Sequence, residues 1–113
     1  MRKIITFLGV QRIKTQYQYR NQVYEGEVFA EAMYRFLDFD EMLVFVTSEA
    51  RAAVWPVLEQ LEDDRIRPIE IPRGESTEEM WQIFEALTGA VNDGDSVIFD
   101  ITHAMRSLPF LVF

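Results

Sequence analysis

Cysteine is missing from this 113-residue chain, and histidine occurs once, as His103. Without cysteine there is no disulfide framework, no thiolate metal site and no cysteine nucleophile, a composition that suits a reducing compartment. A single histidine confines imidazole chemistry to one place, and with scattered acids it offers no paired ligand spacing for zinc, so neither a metal nor another cofactor is expected. No G-x-G-x-x-G follows the first apolar segment and no G-x-x-x-x-G-K-[ST] occurs anywhere, which disfavours ordinary dinucleotide binding and nucleoside triphosphatase chemistry. No apolar run approaches the roughly 20 residues that span a bilayer. The opening Met1-Arg2-Lys3-Ile4-Ile5-Thr6-Phe7-Leu8-Gly9 is too short in its apolar part, and lacks a small-residue cleavage site, to be a signal peptide. No membrane association and a cytoplasmic location are therefore expected.

Positive charge is also in deficit. The net charge of −8 argues against binding long nucleic acid, whose affinity depends on neutralising many phosphates. Yet residues 1–20 carry Arg2, Lys3, Arg12, Lys14 and Arg20 and no acid, a local +5 that leaves −13 for the remainder. Such an end can attract a small, compact polyanion, or it is simply a set of solvated charges flanking a strand. With 49% hydrophobic and 13% aromatic residues, the chain is globular, and 1–113 reads as one domain.

Hydrophobic periodicity orders the elements. Lys3 to Leu8 reads as a buried strand closed by Gly9, and the alternation Thr15-Gln16-Tyr17-Gln18-Tyr19, a turn at Asn21 and Val23-Tyr24 read as a β-hairpin. Phe29, Ala30, Met33, Phe36 and Leu37 recur at helical spacing. Met42 to Val46 is a continuous apolar strand of the kind a parallel sheet covers on both faces. Thr47 or Ser48 caps the next helix, in which Pro56 predicts a kink or a second start. Ile66 to Ile71 is a strand. Ser76-Thr77-Glu78-Glu79 reads as a capping box opening a helix with Met80, Ile83, Phe84 and Leu87 inward, its acids complementing the helix dipole. Trp55 and Trp81 read as helix packing rather than base-stacking platforms. Ser96 to Phe99 is the last strand. Strands separated by helices imply an α/β, Rossmann-like, open and mainly parallel sheet with helices on both faces and a hairpin inserted after strand 1. The expected spatial order is 3-2-1-4, with a ligand crevice where the order reverses, at the carboxyl ends of the first and last strands. Those ends are Leu8-Gly9-Val10-Gln11 and Asp100-Ile101-Thr102-His103. The final Phe110-Leu111-Val112-Phe113 is apolar and uncapped, so the chain reads as incomplete at its carboxyl end or as burying it against a partner.

At the second strand end, Asp100 is either a base or orienter for His103 or an acid capping the following turn. Thr102 can present its hydroxyl to a phosphate or cap a helix, while Arg106 and Ser107 can clamp an anion or remain solvated. The free backbone N–H groups of a helix's first turn favour anions.

The sequence Asp100-x-Thr102-His103, followed by Arg106-Ser107-Leu108-Pro109, resembles the DxTHG signature of CRISPR-associated proteins from type III systems. The opening Lys3–Gly9 strand, the Tyr-rich hairpin and Met80-Trp81-Gln82-Ile83-Phe84 resemble that family too, so the likeness extends over essentially the whole chain. The resemblance implies a CARF domain, a Rossmann-like sensor that forms a homodimer, binds a cyclic oligoadenylate and regulates an effector ribonuclease. It implies ligand contacts from Gly9, Val10, Gln11, Thr102, His103, Arg106 and Ser107, with backbone N–H groups near Thr102 to Ala104 holding phosphates. Ala104 stands where the motif has glycine. At a position needing positive φ this costs roughly 1–2 kcal/mol, whereas in a helical first turn alanine is favoured by up to ~1 kcal/mol. Val10-Gln11 replace a small hydroxyl residue and glycine. Relatives also carry a HEPN ribonuclease with an Arg-x-x-x-x-His motif; residue 98 is Ile, so His103 belongs to no such motif and this chain holds no effector nuclease. Two alternatives stand beside the sensor. One is a ring nuclease, in which a ribose 2′-hydroxyl attacks its phosphate without metal, His103 acting as acid or base and Arg106 stabilising the phosphorane. The other is a ligandless dimerisation scaffold.

Overall fold

The computed structural model describes residues 1–9 and 14–100. Four strands, β1 (Arg2–Phe7), β4 (Glu41–Val46), β5 (Ile66–Glu70) and β6 (Ser96–Asp100), form an all-parallel sheet in the order β5-β4-β1-β6. This is the expected 3-2-1-4 arrangement, and the chain is an α/β, Rossmann-like fold. Between β1 and β4 lie the antiparallel hairpin β2 (Thr15–Tyr19) and β3 (Gln22–Gly26) and the helix α1 (Phe29–Phe36). Helices α2 (Ser48–Ala53) and α3 (Trp55–Glu59) join β4 to β5, and α4 (Thr77–Gly89) joins β5 to β6.

The central strands are apolar at nearly every position because both faces are covered. Ile4, Leu8, Met42, Val44 and Val46 pack with Ala30 and Met33 of α1 and with Ala50, Val54, Val57 and Leu58 from the α2–α3 segment. On the opposite face Ile5, Phe7, Leu43 and Phe45 pack under Met80, Ile83 and Leu87 of α4. There Phe7 meets Phe45 and Phe99 edge-on, with ring centroids 5.2 and 6.2 Å apart. The two faces alternate residue by residue, as the strand period of two requires.

Local signals set the helix boundaries. Thr47 Oγ1 accepts from the Ala50 amide at 3.2 Å and starts α2. Pro56, in the first turn of α3, produces the second-start outcome: its ring cannot sit in a continuing helix, but its missing N–H costs nothing in a first turn. Ser76 caps α4 by accepting from the Glu79 amide at 3.1 Å. The other half of the expected box differs, for Glu79 Oε1 reaches past Ser76 to the amides of Gly74 and Glu75, each at 3.1 Å. Those two donors belong to the turn ahead of the helix, so one carboxylate fixes the approach of the chain as well as its start.

The hairpin lies along the outer side of α1. Tyr17 contacts Phe29 (5.7 Å) and Tyr19 stacks on Phe36 (5.9 Å). Phe29 and Phe36, read from periodicity as part of the core stripe, thus serve the hairpin instead. Trp55 packs against the core, whereas Trp81 leaves 49% of its surface exposed and touches the Phe84 ring edge-on. Among the described residues no helix is long and apolar enough to cross a membrane.

Candidate functional site

In a parallel sheet all strands point the same way, so the molecule has an amino rim and a carboxyl rim. β1 and β6 are direct neighbours, paired from Arg2↔Ser96 to Thr6↔Asp100. β4 flanks β1 on its other side, and the strand order reverses between β1 and β6. The carboxyl ends that lead toward Gly9 and toward Thr102 therefore leave the sheet side by side.

β1 continues its pairing past its last strand residue, because the Leu8 amide donates to the Phe45 carbonyl at 3.0 Å. Gly9 follows, half-buried. On β6, Asp100 ends the strand, and its carboxylate accepts a hydrogen bond from the Thr6 hydroxyl at 2.8 Å. Neither sequence role of Asp100, base or orienter for His103 or turn cap, includes this sideways link to the neighbouring strand. Thr6 went unremarked in the sequence. Its signal is a lone hydroxyl in the apolar run Ile4-Ile5-Thr6-Phe7-Leu8. Of the expected ligand-binding residues, Gly9 is placed at this rim. Val10, Gln11, Thr102, His103, Ala104, Arg106 and Ser107 lie outside the described residues.

The first two basic residues of the N-terminal end are not at this rim. Arg2 and Lys3 begin β1 and so sit at the opposite, amino rim. Lys3 is only 5% exposed, and its ammonium pairs with Asp95 at 2.9 Å and donates to the Ala90 carbonyl at 2.8 Å. It is a structural cation, spent on anchoring β1 to the turn after α4. Lys14 pairs with Glu25 across the hairpin, and Arg20, in the hairpin turn, lies over the Tyr19 ring. Arg12 lies outside the described residues. Arg2 and Lys3 thus lie away from the crevice between β1 and β6; charge density along the sequence says nothing about which end of a strand a residue occupies.

The carboxyl rim has cations that the sequence reading did not single out. Beyond β4 and β5, an open cleft of about 370 Å³ is bordered by Thr47, Ser48 and Arg73 together with the acids Glu70, Glu75 and Glu79. Arg73 pairs with Glu49 and Glu75, and Arg51 with Glu70 at 3.5 Å. These are exposed pairs whose guanidinium groups can exchange a carboxylate for another anion at little cost. Among the described residues no group of three or more His, Asp or Glu side chains converges as a metal site.

No protein-family model matches the chain. A stretch of it is 39% identical over 46 residues to a CRISPR-associated protein of Methanocaldococcus jannaschii, a match covering 38% of this chain and 7% of that protein. The chain is therefore similar, in part, to a small portion of a much longer CRISPR-associated protein.

Proposed function

We propose that this chain is a sensor domain that binds a cyclic oligoadenylate in a type III CRISPR antiviral system and, as a homodimer, regulates an effector ribonuclease outside the chain. The observation that carries the reading is the side-by-side exit of the β1 and β6 ends at the reversal of strand order. Open α/β sheets take their ligands at that point. The partial similarity to a CRISPR-associated protein supports it.

In this reading Gly9, Val10 and Gln11 line one side of the crevice, and Thr102, His103, Ala104, Arg106 and Ser107 the other. Backbone N–H groups of the Thr102–Ala104 turn hold phosphates, each such contact contributing about 0.3–1 kcal/mol, or ~2 when partly buried. With Arg2 and Lys3 at the far rim, the attraction falls to Arg106 and to the rim guanidinium groups of Arg51 and Arg73. A compact ring that meets a few fixed donors suits a chain of net charge −8 better than a long polyanion does.

The test is calorimetric titration of the chain with synthetic cyclic tetra-adenylate, cyclic hexa-adenylate and their linear counterparts. Saturable binding of a ring, with the linear forms at least tenfold weaker, is the expected result. Absence of heat with every ring removes the reading.

A further inference from the structure

We infer that Thr6 is a positioning residue of the proposed site, acting through Asp100 to hold the carboxyl ends of β1 and β6 in fixed register; the inference rests on the reading above.

Among the described residues the buried polar or charged positions are Lys3 and Thr6. Lys3 finds its partners at the amino rim, as described. Thr6 is 2% exposed and flanked by Ile4, Ile5, Phe7 and Leu8, all buried. Valine has almost the same shape and carries no polar atom to desolvate, so a hydroxyl here needs a partner to offset its burial. That partner is Asp100, 2.8 Å away and directly beside it in the parallel register. Register neighbours in a sheet project from the same face, so the bond forms without distorting either strand.

Two features make this bond one of position. Threonine is β-branched, and its restricted χ1 fixes the direction of the hydroxyl and hence of the carboxylate it meets. In addition, β6 pairs with β1 alone among the described residues. Among those residues the Thr6–Asp100 rung is its last link to β1, and Asp100 is the residue from which the chain continues toward Thr102 and His103. Being buried, Thr6 does not meet a solute. Any effect on ligand affinity must travel through the placement of Asp100 and of the chain that follows it.

The experiment compares the whole chain with Thr6→Val and Thr6→Ser, titrated with the same cyclic adenylates and melted in parallel. Loss of one charge-assisted hydrogen bond should weaken ring binding roughly tenfold in Thr6→Val. Thr6→Ser keeps the hydroxyl and should bind within about threefold of wild type, although it buries less and melts lower. A packing role reverses that ranking, with serine the worse binder, and that result overturns the inference, as does wild-type affinity in Thr6→Val. Amide hydrogen exchange on the ligand-free chain gives a readout independent of the ring. In Thr6→Val, exchange should accelerate at Phe99 and Asp100 and not at Val97; equal acceleration along β6 counts against the inference. Should the wild type bind no ring, the sensor reading falls while the exchange result still decides whether Thr6 sets the strand end.

Discussion

Gly26 ends the hairpin against a wall of side chains. A Cβ built there would lie 2.6 Å from Tyr24 Cε2 and 3.1 Å from Glu31 Oε1. Tyr24 cannot simply swing away, because its hydroxyl donates to Glu31 at 2.9 Å and Arg35 lies over its ring. Glu31 is engaged as well, accepting from the amides of Glu27 and Val28 at 2.8 and 3.1 Å to start α1. Burial and the Glu31 carboxylate together raise the Tyr24 hydroxyl above its ordinary pKa. Gly26→Ala should therefore destabilise the chain by about 1–3 kcal/mol, in the range of overpacked sites. A urea melt checks it, and an unchanged midpoint would mean that Tyr24 yields freely. In the sequence Gly26 is visible only as the end of a hairpin. The crowding by Glu31 depends on where α1 lies.

At the scale of elements, short helices here depend on their ends. α2 is six residues long, too short to persist without tertiary packing and a cap. Thr47 supplies the cap, so Thr47→Ala should cost about 1 kcal/mol in a thermal or urea melt, and Thr47→Ser should recover most of it. The position of that cap was readable to within one residue, Thr47 or Ser48, since both lie between an apolar strand and the apolar spacing Ala50, Val54, Val57, Leu58; the structure selects Thr47. The proline's effect was readable as a pair of alternatives. Packing chose between them, because ending α2 at Ala53 and restarting at Trp55 brings Val54, Val57 and Leu58 all onto the sheet. The partners of Phe29 and Phe36 were not readable. A period of 3.6 marks an apolar stripe but does not say that a hairpin covers part of it.

Across the whole molecule, charge is used differently at the two rims. At the amino rim the Lys3–Asp95 pair is buried and Asp63 is multiply bonded, beside the more exposed Arg67–Glu41 pair. Lys3 pairs with Asp95, the Arg2 amide donates to Asp40, and Asp63 accepts from Arg65 and from the Tyr34 hydroxyl while Arg65 lies over Phe39. Among the described residues the carboxyl rim has the exposed pairs of Arg51 and Arg73 and the part-buried bond of Thr6 to Asp100. The amino rim thus holds the more heavily bonded carboxylates, Asp63 and Asp95. This predicts a pH response. Hydrogen bonds from the Arg65 side chain and amide hold the Asp63 carboxyl well below its usual 3.8. Asp95 is also lowered, first by the Asn92 amide and then by Lys3. A carboxylate with a depressed folded-state pKa adds stability above its unfolded value and loses it as pH falls toward the folded one. Melting temperature should thus hold from pH 7 to about 5 and drop below about 4, where the unfolded chain takes up protons on these carboxylates while the fold does not. Asp63→Asn should melt lower than wild type at pH 7, with the gap narrowing by pH 3. A gap independent of pH would show that the Asp63 charge is not what stabilises this rim.

Alternation and helical spacing determined by themselves the kind of each element up to Asp100 and the hairpin after β1, with the Pro56 segment left as one helix or two; the usual doubly-wound arrangement then supplied the order of the parallel strands. These are properties of near neighbours in the chain, where periodicity and turn chemistry act directly. Only the tertiary structure decided which charges share a rim: Lys3 buried against Asp95, Thr6 bonded to Asp100, Arg51 and Arg73 at the carboxyl edge. Those partners are separated by up to 94 residues in the chain, and their meeting depends on strand register, which one-dimensional spacing does not encode.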